Sequence, residues 1–225
     1  MPASHLTRGG SFAVAVAILI GGTLIPVFGA EKPAIEIGIA NMPPAQEPAD
    51  FTFWHTGGGA PTEWLVVSDP TAVRQSAIAQ TSTDPTSYRF PLAVYKPVSA
   101  ADVDVSVRFK PVSGKIDQAG GIAVRLTTYD DYYVARANAL EDNVRFYRVV
   151  KGRREQVDGI NTKVAGNQWH TLGLRAEGDA STISFDGKTL FTAHDNTFAN
   201  SGRVALWTKA DSITHFDTIR IQELP

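Results

Sequence analysis

From Phe51 to the C-terminus, short apolar runs recur with turn residues between them. In order they are FTFW, EWLVV, SAIAQT, SYRFPLAV, DVDVSVRF, GGIAVRL, YYVARAN, VRFYRVV, EQVDG, WHTLGLRA, STISFDG, TLFTAH, GRVALWT and THFDTIRI. Each is rich in β-branched or aromatic residues and bounded by Gly, Pro, Asn, Asp or Ser, which is the pattern of strands separated by turns. The most regular is Asp102 to Phe109, where Val103, Val105, Val107 and Phe109 alternate with Asp102, Asp104, Ser106 and Arg108. A half-buried strand demands that period of two. Asp186-Gly187 between two apolar runs predicts a two-residue hairpin turn. No comparable helical periodicity occurs in this part of the chain. The pattern predicts an all-β, two-sheet antiparallel sandwich or jelly roll.

Tyr132 to Arg154, YYVARANALEDNVRFYRVVKGRR, has the composition of a strand pair, yet arginines and an asparagine interrupt its apolar alternation. Pairing YYVARAN with VRFYRVV across ALED, with Asn138 opposite Arg145, sets Arg136 opposite Tyr147 and Val134 opposite Val149. Those six then share one face. The other carries Tyr133, Ala135, Ala137, Phe146 and Val150, with Arg148 as its one charge. In GGIAVRL, Ile122, Val124 and Leu126 are expected inward, with Ala123 and Arg125 outward. In GRVALWTKADS, Val204, Leu206 and Thr208 alternate with Trp207 and Lys209. The polar residues therefore form a second face of the sheet. Arg125, Arg136, Asn138, Arg145, Tyr147, Trp207 and Lys209 are the candidate ligand-binding residues. Arginine forks suit hydroxyls or carboxylates, asparagine both donates and accepts, and aromatic rings stack on a pyranose, so the face suits a polyol or an acidic sugar. A solvated face whose arginines pair with neighbouring acids would show the same alternation.

The N-terminus alters the picture of where the protein works. MPASHLTRGG has basic character and no acid, SFAVAVAILIGGTLIPVFG is apolar, and small residues close the run at Gly29 and Ala30. This is the three-part pattern of a secretory signal peptide. Cleavage after Gly29 places Val27 and Gly29 at the small-residue positions. An uncleaved anchor is the competing reading, weakened by Gly21, Gly22 and Pro26. The chain is thus expected to comprise a signal peptide over 1–29, a flexible Pro-, Ala- and Glu-rich lead-in over 30–50 in which only AIEIGIA suits a strand, and one folded domain over 51–225. With no cysteine there is no lipid-anchor site and no disulfide, so periplasmic or secreted release without stable membrane insertion is expected. The 225 residues, 43% hydrophobic and 20% charged, suffice for one core, and a net charge of -2 gives no global reason to bind nucleic acid.

The sequence lacks GxGxxG, P-loop, GxSxG and HExxH patterns. His5, His55, His170, His194 and His215 have no metal-ligand spacing and read as ordinary histidines. Trp64 and Trp169 sit beside apolar alternations and read as core anchors.

EWLVVSDP, QTSTDPTSYRFPLAV, FKPVSGKIDQAGGIAVRL, YYVARANALEDNVRFYRVVKGRR, NQWHTLGLRAEG and RVALWTKADSITHFDTIRI together resemble a bacterial exported family of concanavalin A-like domains. These are described as 3-keto-disaccharide hydrolase-like or glycoside hydrolase family 16-like. The resemblance implies a concanavalin A-like jelly roll whose concave sheet holds carbohydrate. It also implies that Asp217 matches the C-terminal aspartate that holds a structural calcium in related glucanases; bonding to backbone amides is the competing role for this residue. No other cofactor is expected. The family 16 Glu-x-Asp-x-x-Glu pattern is absent. Retaining glycosidases need two carboxyl groups about 5 to 5.5 Å apart, whereas Asp117, Asp130, Asp131, Glu141 and Asp142 all fall in predicted turns, where acids are ordinarily solvated or capping. Carbohydrate binding is the leading expectation. Cleavage of 3-keto or related disaccharides, with Asp117 or Asp142 as base and an arginine as oxyanion stabiliser, is the alternative, and an envelope protein-interaction module is a third.

Overall fold

A computed structural model describes residues 32–225 and Met1; the rest of the expected signal peptide lies outside the described residues. In chain order the strands are β1 (Ile35–Glu36), β2 (Phe51–Gly57), β3 (Trp64–Ser68), β4 (Ser76–Gln80), β5 (Arg89–Ala100), β6 (Val103–Ser113), β7 (Ala119–Thr128) and β8 (Asp131–Asn138). They continue with β9 (Asn143–Val150), β10 (Arg153–Asn161), β11 (His170–Glu177), β12 (Ala180–Phe185), β13 (Lys188–His194), β14 (Gly202–Trp207) and β15 (Ile213–Glu223). Every run singled out by its alternation coincides with one of β2 to β15. The only helix among the described residues is a single 3-10 turn, Ile39–Asn41. Asp186 and Gly187 have φ of 48° and 77°, so both residues of the β12–β13 turn occupy the left-handed region that such a tight hairpin requires.

Two antiparallel sheets face each other. The first runs β13-β12-β11-β6-β15-β4-β3, with β1 added on β15; the second runs β10-β9-β8-β7-β14-β5-β2. Val103, Val105, Val107 and Phe109 of β6 are fully buried, as their alternation predicts, and pack with Leu172, Leu174, Phe216 and Ile221 against Tyr133, Ala135, Ala137, Val144 and Phe146 of the second sheet. Each Val, Leu, Ile or Phe side chain so removed from water stabilises the sandwich by roughly 1.5–3 kcal/mol.

The expected flexible lead-in is instead docked on the body over residues 32–50. Ile35 pairs with Ile221, the Ile37 amide donates to Ile219 O at 3.0 Å, and Ala45 and Gln46 exchange backbone hydrogen bonds with Val66. Ile39 is buried, and Ile35, Ile37 and Met42 pack against the core. The apolar residues of AIEIGIA anchor a segment whose prolines and acids suggest mobility.

Candidate functional site

The β8–β9 hairpin sets the site. Its turn contains four residues, 139–142, and pairing begins at Asn138 with Asn143. Asn138 fixes that choice, because its Oδ1 accepts the amides of Leu140 at 2.9 Å and Glu141 at 3.3 Å and so closes the turn. Arg136 therefore stands opposite Arg145 and Val134 opposite Tyr147, a correction of two residues to the expected register. An even shift leaves every side chain on its face. Val134, Arg136, Asn138, Arg145, Tyr147 and Val149 do share one surface, while Tyr133, Ala135, Ala137 and Phe146 face the core. Arg148, the apparent exception on the core side, lies at the rim and pairs with Asp195 at 2.8 Å and Glu155 at 2.9 Å.

Arg125 does not belong to this surface. The β7–β8 ladder breaks register between Val124 and Thr128, and Arg125 adopts φ of 51°. This irregularity reverses the alternation, so Leu126 joins the polar sheet face and Arg125 leaves it. The Arg125 guanidinium is used to bind the carbonyls of Ala101, Phe198 and Gly178, each at 2.7 Å, and Asp102 at 3.0 Å.

The outer face of the second sheet is also not an open plane. Arg154 of β10 lies with its guanidinium 4.6 Å from the Phe90 ring of β5, five strands away in sheet order. A flat sheet would hold those strands about 24 Å apart. Tyr132 of β8 likewise meets Thr56 of β2, hydroxyl to hydroxyl at 2.8 Å, and the Tyr88 hydroxyl donates to Gly152 O at 2.8 Å. The sheet is rolled upon itself, and its concave face encloses a second apolar cluster of Phe90, Leu92, Tyr132, Val134, Tyr147, Val149 and Trp207. Trp207, expected as an exposed platform, is fully buried. It stacks on Phe90 at 5.2 Å, and its indole donates to Tyr132 at 3.3 Å. Gly121 makes room for it, since a Cβ there would stand 3.2 Å from the Trp207 ring and 2.8 Å from Ala135 O.

At the β8–β9 turn end of this roll the polar residues converge. Asp117, 1% exposed, accepts from Asn138 Nδ2 at 2.6 Å and forms an ion pair with Lys209. Asp211 holds Asp117 in place by accepting the amides of Lys115, Ile116 and Asp117 at 2.7 to 3.0 Å. Arg136, also 1% exposed, donates to Glu141 at 2.8 Å and to Asn143 at 2.5 Å, and Asn143 in turn donates to Glu141 at 3.1 Å. Asp117 and Glu141 are thus drawn out of the set of ordinary turn acids. Asp142 is not: it caps Val164 and pairs with Lys163, at 3.1 and 3.0 Å. Asp131 accepts the Lys151 amide at 2.9 Å.

The two acids titrate in opposite directions. Burial raises the Asp117 carboxyl above its usual range despite Lys209, whereas Glu141, which burial alone would raise, is held at about 2 by the hydrogen bond and charge of Arg136. Four side-chain atoms are buried without a partner among the described residues: Arg136 Nε and Arg154 Nη1 on this face, and Trp64 Nε1 and Thr208 Oγ1 besides. Arg154 was missed by the alternation as read over two strands. Its pairing with Val149 puts it on the same face, which extending the period of two across the KG turn into RREQV would have shown.

The remaining candidates lie elsewhere. Asp217 is paired with Arg108 and accepts the Val73 amide at 3.0 Å, on the outer face of the first sheet. It also accepts the Thr218 amide at 2.5 Å, so its partners are an arginine and two amides, and among the described residues no group of three or more His, Cys, Asp or Glu is gathered to hold a metal. Trp64 is a core residue as expected, but Trp169 is not. It lies on that same outer face beneath Arg108 at 4.5 Å and Lys110 at 5.2 Å.

The fold recurs in solved structures. A carbohydrate-binding module, CBM66 of Bacillus subtilis, superposes with a TM-score of 0.61 at 19% identity, over 74% of this chain and 94% of that one. A β-glucanase of Bacillus licheniformis superposes at 0.54 with 11% identity, over 86% and 99%. Domain 4 of AbnA, a GH43 extracellular arabinanase from Geobacillus stearothermophilus in complex with arabinotriose, superposes at 0.52 with 15% identity, over 84% and 90%. These likenesses establish the jelly-roll architecture. No helix among the described residues is long and apolar enough to cross a membrane. No curated protein matches the chain. The model of the galactocerebrosidase C-terminal lectin domain matches residues 98–224, from β5 through β15 and hence across the whole polar cluster, and the chain belongs to that family.

Proposed function

We propose that this is an exported carbohydrate-binding domain whose site is the polar end of the rolled sheet. The observation that carries the reading is the joint presence there of Arg136, Asn143, Glu141 and Lys209 with two buried donors left without partners. Such atoms cost roughly 1–3 kcal/mol each when unsatisfied, so each calls for an acceptor that the described residues do not supply. Membership of a lectin-domain family supports the same reading. So does CBM66, which shares the fold and is named a carbohydrate-binding module. Export is supported by the signal-peptide pattern of residues 1–29. The test is a glycan array followed by calorimetry on the purified domain. At least one oligosaccharide should bind, and Lys209→Gln should weaken it about tenfold, the worth of one charge-assisted hydrogen bond. Absence of binding across the array overturns the reading.

A second reading, cleavage of 3-keto or related disaccharides, rests on one observation. Asp117 and Glu141 are neighbouring acids whose environments drive their titrations apart, the arrangement that separates an acid from a base. Product release from a panel of 3-keto and ordinary disaccharides tests it, with Asp117→Asn as the inactive control. No turnover across the panel sets it aside.

A further inference from the structure

The cationic side chains of the rolled sheet outnumber the acids available to them. Arg136 and Arg145 are direct cross-strand partners on one face, an arrangement that like charges make unfavourable. Arg154 joins them from β10. Arg136 and Arg154 lie 5.6 Å and 4.5 Å from the same Tyr147 ring. Lys209 completes the set at the end of the roll. Against these stand Asp117, already engaged by Lys209 and Asn138, and Glu141, engaged by Arg136 and Asn143. Among the described residues neither Arg145 nor Arg154 forms an ion pair, and Asp117 acts on Arg154 only through charge at a distance. Among the described residues Arg145 has amide partners alone, Asn161 Oδ1 at 2.6 Å and Val144 O at 3.4 Å. Arg154 has no hydrogen-bond acceptor for its buried Nη1 among the described residues, and its guanidinium lies on the rings of Tyr147, Phe90 and Trp207 at 4.5, 4.6 and 5.9 Å.

Cation–π contact returns about 0.5–2 kcal/mol per pair, but it leaves the N–H donors of the guanidinium without the acceptor oxygens that a carboxylate or sulfate would supply. A guanidinium that covers three aromatic rings also occupies the place where a sugar ring would stack. We infer that the ligand of this site is an anionic glycan, whose carboxylate or sulfate supplies the counter-charge missing between Arg136, Arg145 and Arg154. Arg154 moves off the aromatic rings to clamp the anion as the sugar takes its place. The planar fork of arginine matches both anions with two parallel hydrogen bonds. The inference rests on the reading of this site as a sugar site and adds the ligand's class and the residue that selects it.

Calorimetry on the intact domain separates the two claims. One arm compares an oligogalacturonide with its methyl ester, and the other a sulfated galactose disaccharide with its unsulfated parent. In one arm at least the anionic form should bind about tenfold more tightly, or better, in keeping with one charge-assisted hydrogen bond. The arm that responds identifies the anion. In that arm Arg154→Gln should bring the ratio of anionic to neutral affinity toward one, Arg154→Lys should restore part of it, and Arg175→Gln, on the other sheet, should leave it unchanged. Near-UV circular dichroism verifies that each variant is folded. Equal affinity for the paired ligands in both arms, or a preference that survives Arg154→Gln, overturns the inference while leaving sugar binding intact. Failure of every ligand to bind in any arm removes both the inference and the reading beneath it.

Discussion

Two polar clusters lie on opposite surfaces of this sandwich, built from the same kinds of residue. On the outer face of the first sheet, Asp69 binds Lys110 and His215, the latter at 2.8 Å, and accepts from the Thr71 hydroxyl and amide at 2.7 and 3.0 Å. Trp169 donates to Thr71 at 2.8 Å and lies under Arg108, which is itself paired with Asp217. No buried side-chain atom of this network lacks a partner among the described residues. On the concave face, Arg136 and Arg154 each keep a buried nitrogen without one. The first cluster is closed: its charges are consumed in holding β6, β15 and the β3–β4 turn together. The second is open, and its surplus is all of one sign. Completeness of pairing, rather than the presence of arginine or tryptophan, is what separates a structural network from a candidate binding site.

That distinction predicts a sharp division of effects. Asp69→Ala strips Lys110 of its counter-ion and leaves a nearly buried ammonium unpaired. The cost should be about 3 kcal/mol, read as a fall in denaturant midpoint, with sugar affinity unchanged. A loss of affinity equal to the loss of stability would mean the clusters are coupled and would remove the contrast. The pH dependence has a definite sign. Asp69 titrates below its ordinary range, with burial opposed by Lys110, Thr71 and His215, so its contribution is complete above the unfolded value near 3.8 and is lost only as the pH falls through the lowered value. Burial lowers His215 too, so the neutral ring is the stable form. The share of stability it holds is present above about pH 6.5 and declines as the pH falls through that value toward its lowered one.

On the concave side the apolar floor, not the charges, should dominate stability. Gly121→Ala would drive a methyl to 2.8 Å from Ala135 O and 3.2 Å from the Trp207 ring. Overpacking of this kind costs about 1–3 kcal/mol, and displacement of Trp207 should weaken sugar binding as well. Thermal melts and calorimetry read both. A variant of full stability and full affinity would show that Trp207 is not held where the ligand needs it.

The contrast also explains what the sequence discloses. The period of two places Arg136, Asn138, Arg145 and Tyr147 on one face even with the register wrong by two, because parity survives an even shift. It fails at Arg125, where one irregular residue at φ of 51° reverses the alternation and no glycine or proline marks the spot. It also misplaces Trp169, since the apolar neighbours that suggest a core position do not reveal that Arg108 and Lys110 arrive from β6. The roll of the second sheet is least legible. Its curvature comes from contacts between strands far apart in order, Arg154 with Phe90 and Tyr132 with Thr56, and local alternation carries no trace of them. Hence a face expected to be open proved largely buried, and Arg154, which closes it, went unrecognised.

The smallest effect tests the electrostatics of the open cluster most directly. Glu141 is half exposed, 45% by side chain, so its ion pair with Arg136 contributes little at neutral pH, and Glu141→Gln should cost under about 1 kcal/mol. Its pH signature is distinct from that of its neighbour. The Glu141 value falls from 4.5 to about 2 on folding, so the stability it confers is present above 4.5 and disappears as the pH drops toward 2. The raised Asp117 carboxyl acts in the opposite sense, adding stability at low pH that is lost as the pH rises through its folded value. In the wild type the two slopes oppose each other. The difference between wild type and Glu141→Gln, measured as denaturant midpoints at pH 7, 4 and 3, cancels the Asp117 slope apart from the minor part that the Glu141 charge contributes to it, and should shrink below pH 4.5. A difference that stays constant across that range would mean that Arg136 does not hold Glu141 ionised, and that the arginine enters the ligand site with its full charge uncompensated.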